Sequence, residues 1–167
     1  FVNSFLLLCH TLVGVDHNGS DRFTLDSIES FVYSSDAQTI TAKGDAVLQG
    51  PNLIIRANEI RWDKKNSFIF ADGSVIISNS DYRVLLEDAV IDISTGTFTG
   101  KKVTTGKYPW VVVANEVKAY DDEILLTSAE IKHEYHHLES PYLSSTEVKF
   151  DTNNSKLTVT DFGLQLK

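Results

Sequence analysis

The sequence predicts an all-β protein, an antiparallel sheet bent over on itself, and three observations lead there. Runs of Val, Ile, Phe and Trp interleaved with polar residues are bounded by Asn, Asp and Gly clusters, which is the composition of half-buried strands. The apolar residues change parity at recurring places. One short pattern also returns several times along the chain. All three features are densest between Ile54 and Ile77, IIRANEIRWDKKNSFIFADGSVII, which reads as a hairpin around Asp63-Lys64-Lys65-Asn66 with a third strand after Ala71-Asp72-Gly73.

Ile55 and Ala57 are in phase, but Ile60 and Trp62 are on the opposite parity. A straight strand would send the two pairs to opposite faces. One inserted residue, a bulge or corner between Ala57 and Ile60, returns both to one face and bends the strand. Phe68 and Phe70 followed by Val75 and Ile77 show the same slip at Gly73. Bends at regular places argue for a sheet that folds back over itself.

Ala57-Asn58-Glu59-Ile60-Arg61 returns as Ala114-Asn115-Glu116-Val117-Lys118, and more loosely as Ser128-Ala129-Glu130-Ile131-Lys132 and Ser145-Thr146-Glu147-Val148-Lys149. Trp62-Asp63, Tyr120-Asp121 and Phe150-Asp151 follow three of these copies, and Leu85 to Asp92 is a weaker one. Strand-turn-strand units that cannot bury their own face must stack around a shared core.

Taken in order, residues 16–27 read as a polar lead-in. Strands follow at Ile28 to Tyr33, Thr39 to Ala42 and Ala46 to Leu48, with Gly44 matching Gly73 as a residue of positive φ or a bulge. Gly50-Pro51-Asn52 breaks the chain before the central stretch. Strands then run from Tyr82 to Leu86, Ala89 to Ile93, Trp110 to Tyr120 and Ile124 to Thr127. Residues 128–140 place Ile131, Tyr135 and Leu138 at helical spacing behind a capping Ser128, so helix competes with strand there. The last hairpin joins Glu147–Phe150 to Lys156–Thr160, and Phe162 to Leu166 continues it.

At 167 residues the chain is one domain, long enough to bury roughly 70% of its unfolded surface without disulfide or metal. Its formal net charge of −8 leaves nothing to neutralise a run of phosphates, so a nucleic-acid partner is not expected. Phe5 to Val15 is an uncharged apolar run, too short for a bilayer at ~20 residues. It is expected to be the h-region of an export signal, with residues 1–15 its remnant and 16–167 the mature domain; a buried N-terminal strand and an uncleaved anchor are the rivals. Cys9 is the only cysteine, so a cleaved, exported domain folds without oxidation.

His133-Glu134-Tyr135-His136-His137 satisfies H-E-x-x-H. On a helix, His133 and His137 would hold zinc and Glu134 would act as general base. The surroundings read as strands with no helical subdomain to form a cleft, so a solvated polar stretch is the expected reading and a zinc hydrolase the alternative. No nucleophile elbow or phosphate loop is present, and neither enzymatic activity nor a cofactor is expected.

The pattern Ile55-x-Ala57-x-x-Ile60-x-Trp62-Asp63, then Phe68-x-Phe70-Ala71-Asp72-Gly73-x-Val75, resembles the repeating unit of the OstA-like lipopolysaccharide-transport family, which includes the periplasmic bridge protein LptA and the N-terminal domain of the translocon LptD. The resemblance covers roughly residues 28–160. It implies a β-jelly-roll, a V-shaped stack of antiparallel strands, sheltering the acyl chains of lipid A in an apolar groove in the periplasm. The positions it implies for the groove are Ile55, Ala57, Ile60, Trp62, Phe68, Phe70, Val75, Ile77 and Val117. Glu87 stands where the first copy has Ala57 and departs from the pattern. Open sheet ends in such a fold invite strand addition. Expected partners are therefore lipopolysaccharide, other transport β-modules at an edge strand, and further copies of this chain head to tail. A structural envelope module with a closed interior is the remaining alternative.

Overall fold

The computed structural model describes residues 11–15, 22–35, 38–80, 82–120, 122–134, 141–154 and 156–165. They form twelve strand segments: β1 Thr11–Val15, β2 Arg22–Asp26, β3 Ser30–Ser34, β4 Thr39–Gln49, β5 Ile54–Asp63, β6 Phe68–Ser78, β7 Arg83–Asp92, β8 Thr97–Lys107, β9 Trp110–Tyr120, β10 Glu123–His133, β11 Tyr142–Asp151 and β12 Lys156–Gln165. All belong to one unclosed antiparallel sheet in the order β1-β2-β4-β5-β6-β7-β8-β9-β10-β11-β12, with β3 also on β4. β2 and β3 are one rung in two pieces. Thr24 lies opposite Gln49 and Ser30 opposite Lys43, so the register continues unchanged across the gap. The fold is the V-shaped β-jelly-roll that the sequence implied, built as a meander of eleven rungs.

Every long rung crosses a bend at mid-length. In β5 the buried residues are Ile55, Ala57, Ile60 and Trp62, so alternation slips by one between Ala57 and Ile60. The same three-residue step separates Leu86 from Ala89, Gly100 from Val103, Ala114 from Val117 and Leu126 from Ala129. β4 and β6 turn the corner differently. They bury Ile40, Ala42, Ala46, Leu48 and Ile69, Ala71, Val75, Ile77, a four-residue step that keeps parity. The extra residue sits in consecutive left-handed pairs, Gly44-Asp45 (φ 78° and 42°) and Gly73-Ser74 (φ 74° and 53°), where the ladder register shifts. Lys102, Ser128 and Asp161 supply single left-handed corners to β8, β10 and β12.

The corners divide the sheet into two leaves. Leaf I contains residues 30–34, 39–43, 59–63, 68–72, 88–92, 97–101, 116–120, 123–127, 147–151 and 156–160; leaf II contains the other half of each rung. Their inner faces share one core, in which Ile40, Ile55, Ile60, Ile69, Ile77 and Ile91 are each at most 2% exposed. A fully buried Ile contributes about 1.5–3 kcal/mol, so the rungs hold each other in place. Across the mouth of the V, Phe23 of leaf II meets Trp62 of leaf I edge-on at 5.9 Å, and Tyr82 meets Phe98 at 6.3 Å.

Five sequence readings need correction. The parity slip expected at Gly73 is absent, because Ile69 and Ala71, not Phe68 and Phe70, face inward and the four-residue step to Val75 keeps parity. Arg22–Asp26, inside the expected polar lead-in, is strand β2. Residues 128–133 are the second half of strand β10, with Ala129 and Ile131 buried in strand alternation, so no helix forms there. The half-strands expected at 39–42 and 46–48, and at 82–86 and 89–93, are continuous strands through a corner. In β7 it is Leu86, not Glu87, that matches Ala57; Glu87 points outward at the corner and pairs with Lys102 at 2.7 Å. The backbone of Thr11–Val15, at the end of the expected export signal, is strand β1 on β2.

Candidate functional site

Of the nine residues expected to line the interior, Ile55, Ala57, Ile60, Trp62, Val75, Ile77 and Val117 belong to the buried core. Phe68 and Phe70 do not. Ile69 and Ala71 face inward at 0% and 3% exposure, and alternation puts both phenylalanines on the outer surface of leaf I. There the two rings lie 6.3 Å apart, and the Arg61 guanidinium stands 4.2 Å over the Phe70 ring, a cation–π contact between outward cross-strand partners.

From β4 to β10 the interior is filled by its own side chains, so the central rungs form a core rather than an open trough. Two concavities among the described residues lie outside it: about 420 Å³ at the corner of β4 to β6, and about 590 Å³ on the outer surface of leaf II. The end of the stack is different. β12 presents Leu157, Val159, Phe162 and Leu164 in the inward phase, with the usual three-residue step at the corner, and among the described residues no further rung covers them. Leu157 is 49% exposed, Phe162 68% and Leu164 64%. In β11, Leu143 and Phe150 are half-buried against the core. Sequence reasoning missed this row, although its 157, 159, 162, 164 spacing repeats that of 55, 57, 60, 62.

Polar groups are kept to the rim and corners. Among the described residues the only buried polar side chains are Ser27 and Ser145. Ser145 Oγ sits 2.6 Å from the Thr160 carbonyl and accepts from the Glu147 amide at 3.2 Å, which ties β11 to β12 at the bend. Ser27 Oγ donates to the Lys43 carbonyl and spans the gap between β2 and β3. At the turns, the Asn66 side-chain and backbone N–H groups donate to Asp63 and hold its carboxyl below the usual carboxylate range. Asn154 does the same for Asp151, and Ser94 for Asp92. These are turn locks that stay ionised at neutral pH, not proton-transfer groups.

The zinc reading loses its geometry in part. His133 ends strand β10 with its ring 5.5 Å from Trp110, and Glu134 follows in a turn. A strand does not bring residues i and i+4 together as a helix turn does. His137 lies outside the described residues, and no group of three potential metal ligands occurs among the described ones.

Among the described residues, fold and site together define a folded-over β-stack with a filled centre and exposed apolar side chains on β12. The sequence matches no family model and no curated protein. Among solved structures it is similar to LptH, the LptA-homologous periplasmic component of the lipopolysaccharide transport device of Pseudomonas aeruginosa, with 8% identity and a TM-score of 0.34 over 87% of this chain and 94% of that one.

Proposed function

We propose that the protein is a periplasmic carrier module that shelters the acyl chains of lipid A between its two leaves and passes lipopolysaccharide along a row of like modules joined end to end. The observation that carries this reading is the uncovered inward row of β12, Leu157, Val159, Phe162 and Leu164. An apolar face left open on the last described rung calls for a cover, and an edge strand can recruit one by strand addition. The family resemblance at residues 54–77 points the same way. Loss of residues 1–15 on export would remove β1 and leave β2 as the opposite edge, giving each module one edge to donate and one to receive.

Burial of a dozen methylenes at ~0.8 kcal/mol each supplies about 10 kcal/mol. Tails lodge first between the leaves at β11 and β12, where Leu143, Phe150 and Val159 are half-buried. Passage deeper requires the leaves to part at the Phe23–Trp62 and Tyr82–Phe98 contacts. The filled core favours a second reading, a structural envelope module that binds no lipid. Photo-crosslinking separates the two. A crosslinker at Phe162 or Trp62 yields a lipopolysaccharide adduct and one at Lys64, in an exposed turn, does not; absence of any adduct selects the structural module.

A further inference from the structure

The larger outer concavity is built by cross-strand register. On the outer surface of leaf II, Ile54, Ser78 and Arg83 lie side by side on β5, β6 and β7, and Arg56 and Ile76 form the next outward row. Arg56 and Arg83 are thus two strands and about two residues apart, roughly 10 Å by 7 Å at the backbone, which two extended arginines span over the Ile76–Ser78 floor. β8 brings the third cation. Gly106, at φ 154°, admits no side chain, because an added Cβ would run into the Trp110 carbonyl oxygen, and the neighbouring Lys107 lines the rim. Tyr82 closes the remaining side with the same residue whose ring meets Phe98 at the mouth of the V.

The charge at this place runs against that of the chain. The protein carries a net −8, yet the described lining of this 590 Å³ concavity holds two arginines, a lysine and no carboxylate. Lys43, Lys102, Lys132 and Lys149 are each paired with a glutamate, whereas Arg56, Arg83 and Lys107 make no ion pair among the described residues. Counting Asp81, beside Tyr82 in sequence, still leaves an excess of two positive charges. Two guanidiniums and an ammonium around a hydroxyl-bearing floor suit a phosphate monoester, which takes charge-assisted and forked hydrogen bonds from arginine. Beside the cations, Ile76 is followed across the sheet by Leu85 and, past Thr104, by Val113, which are 42% and 38% exposed. A cationic hollow bordered by an apolar strip fits an amphiphile better than a free anion.

We propose that this concavity is a binding site for the phosphate headgroup of an acylated lipid, held by Arg56, Arg83 and Lys107 on the outside of leaf II. The site extends the carrier reading and rests on it only for the lipid's origin. The test is amide-shift titration of the full chain at near-physiological salt with three probes: inorganic phosphate, dihexanoyl phosphatidic acid below its micelle threshold, and dihexanoyl phosphatidylcholine. Phosphatidic acid is expected to shift the Ile76, Ser78 and Tyr82 amides with at least ten-fold higher affinity than phosphate, and phosphatidylcholine to leave them in place. The Arg56→Gln/Arg83→Gln variant, whose substituted residues are exposed, keeps the wild-type melting temperature and loses at least ten-fold in affinity. Equal affinity for phosphate and phosphatidic acid overturns the headgroup assignment, as do equal affinity for the two lipids or an unaffected double variant. Interior crosslinking from Phe162 is read separately, so failure here leaves that result standing, and the converse also holds.

Discussion

Rung β5 and rung β12 carry the same inward pattern. Ile55, Ala57, Ile60 and Trp62 step by two, three and two residues, and so do Leu157, Val159, Phe162 and Leu164. The first set is at most 7% exposed, whereas Leu157, Phe162 and Leu164 of the second are 49–68% exposed. Pattern therefore decides which face a side chain takes, and the neighbouring rung decides whether that face is buried. In the middle of the stack the pattern fills a core, and on β12 it leaves apolar side chains exposed.

The largest separation between these rungs is expected from truncation. Ile60→Ala opens a cavity in a filled core and costs about 2–5 kcal/mol in urea unfolding, whereas Phe162→Ala changes the stability of the monomer by less than about 0.5 kcal/mol. Phe162→Ala instead weakens concentration-dependent association in sedimentation. Equal unfolding costs at the two sites break the comparison.

Next come the glycines. Gly73 is left-handed, and a Cβ there meets Asn58 Nδ2 at 2.6 Å, so Gly73→Ala costs about 1–2 kcal/mol. A Cβ added at Gly163 on β12 would come no nearer than 3.5 Å to Ser144 Oγ, and Gly163→Ala is expected to be neutral or stabilising by up to ~1 kcal/mol.

The turn aspartates sharpen the comparison by behaving alike. Asp63 and Asp151 are depressed by the same Asn contact three residues on, one beside a buried rung and one beside the last. A carboxyl whose folded value lies below its unfolded value stabilises fully above the unfolded value, near 3.8, and loses that contribution as pH falls through the folded one. Acid unfolding curves of Asp63→Asn and Asp151→Asn should both be flatter than wild type below pH ~4. The smallest effect is expected at the exposed Lys102–Glu87 pair, where Lys102→Ala costs under ~1 kcal/mol and nothing measurable in 1 M salt.

The bend was legible in the sequence because every outward position of β5 after Ile54 is polar, so the slip from Ala57 to Ile60 is unambiguous. The positive φ of Gly44 and Gly73 was legible because Lys43-Gly44-Asp45 and Asp72-Gly73-Ser74 stand at matching places, each glycine two residues after an Ala. Phe68-Ile69-Phe70-Ala71 is apolar at both parities, and the larger rings drew the inward assignment. Hairpin register settles it. The Asp63–Asn66 turn pairs Trp62 with Ile69, cross-strand partners share a face, and inward Trp62 brings Ile69 inward with it. Corners also look like strand ends in sequence, since two polar residues in a row mark both; this split β4, β7 and β10 and lent 128–140 its helical appearance. The basic concavity had no local signal at all, because Arg56, Arg83 and Lys107 meet only through strand register.

The most direct test of the end-rung claim is native mass spectrometry of protein extracted gently from its envelope. The wild-type chain is expected to carry a lipopolysaccharide adduct, and the folded Phe162→Asp/Leu164→Asp variant to have lost it. A lipid-free wild type, or equal retention by the variant, contradicts the account.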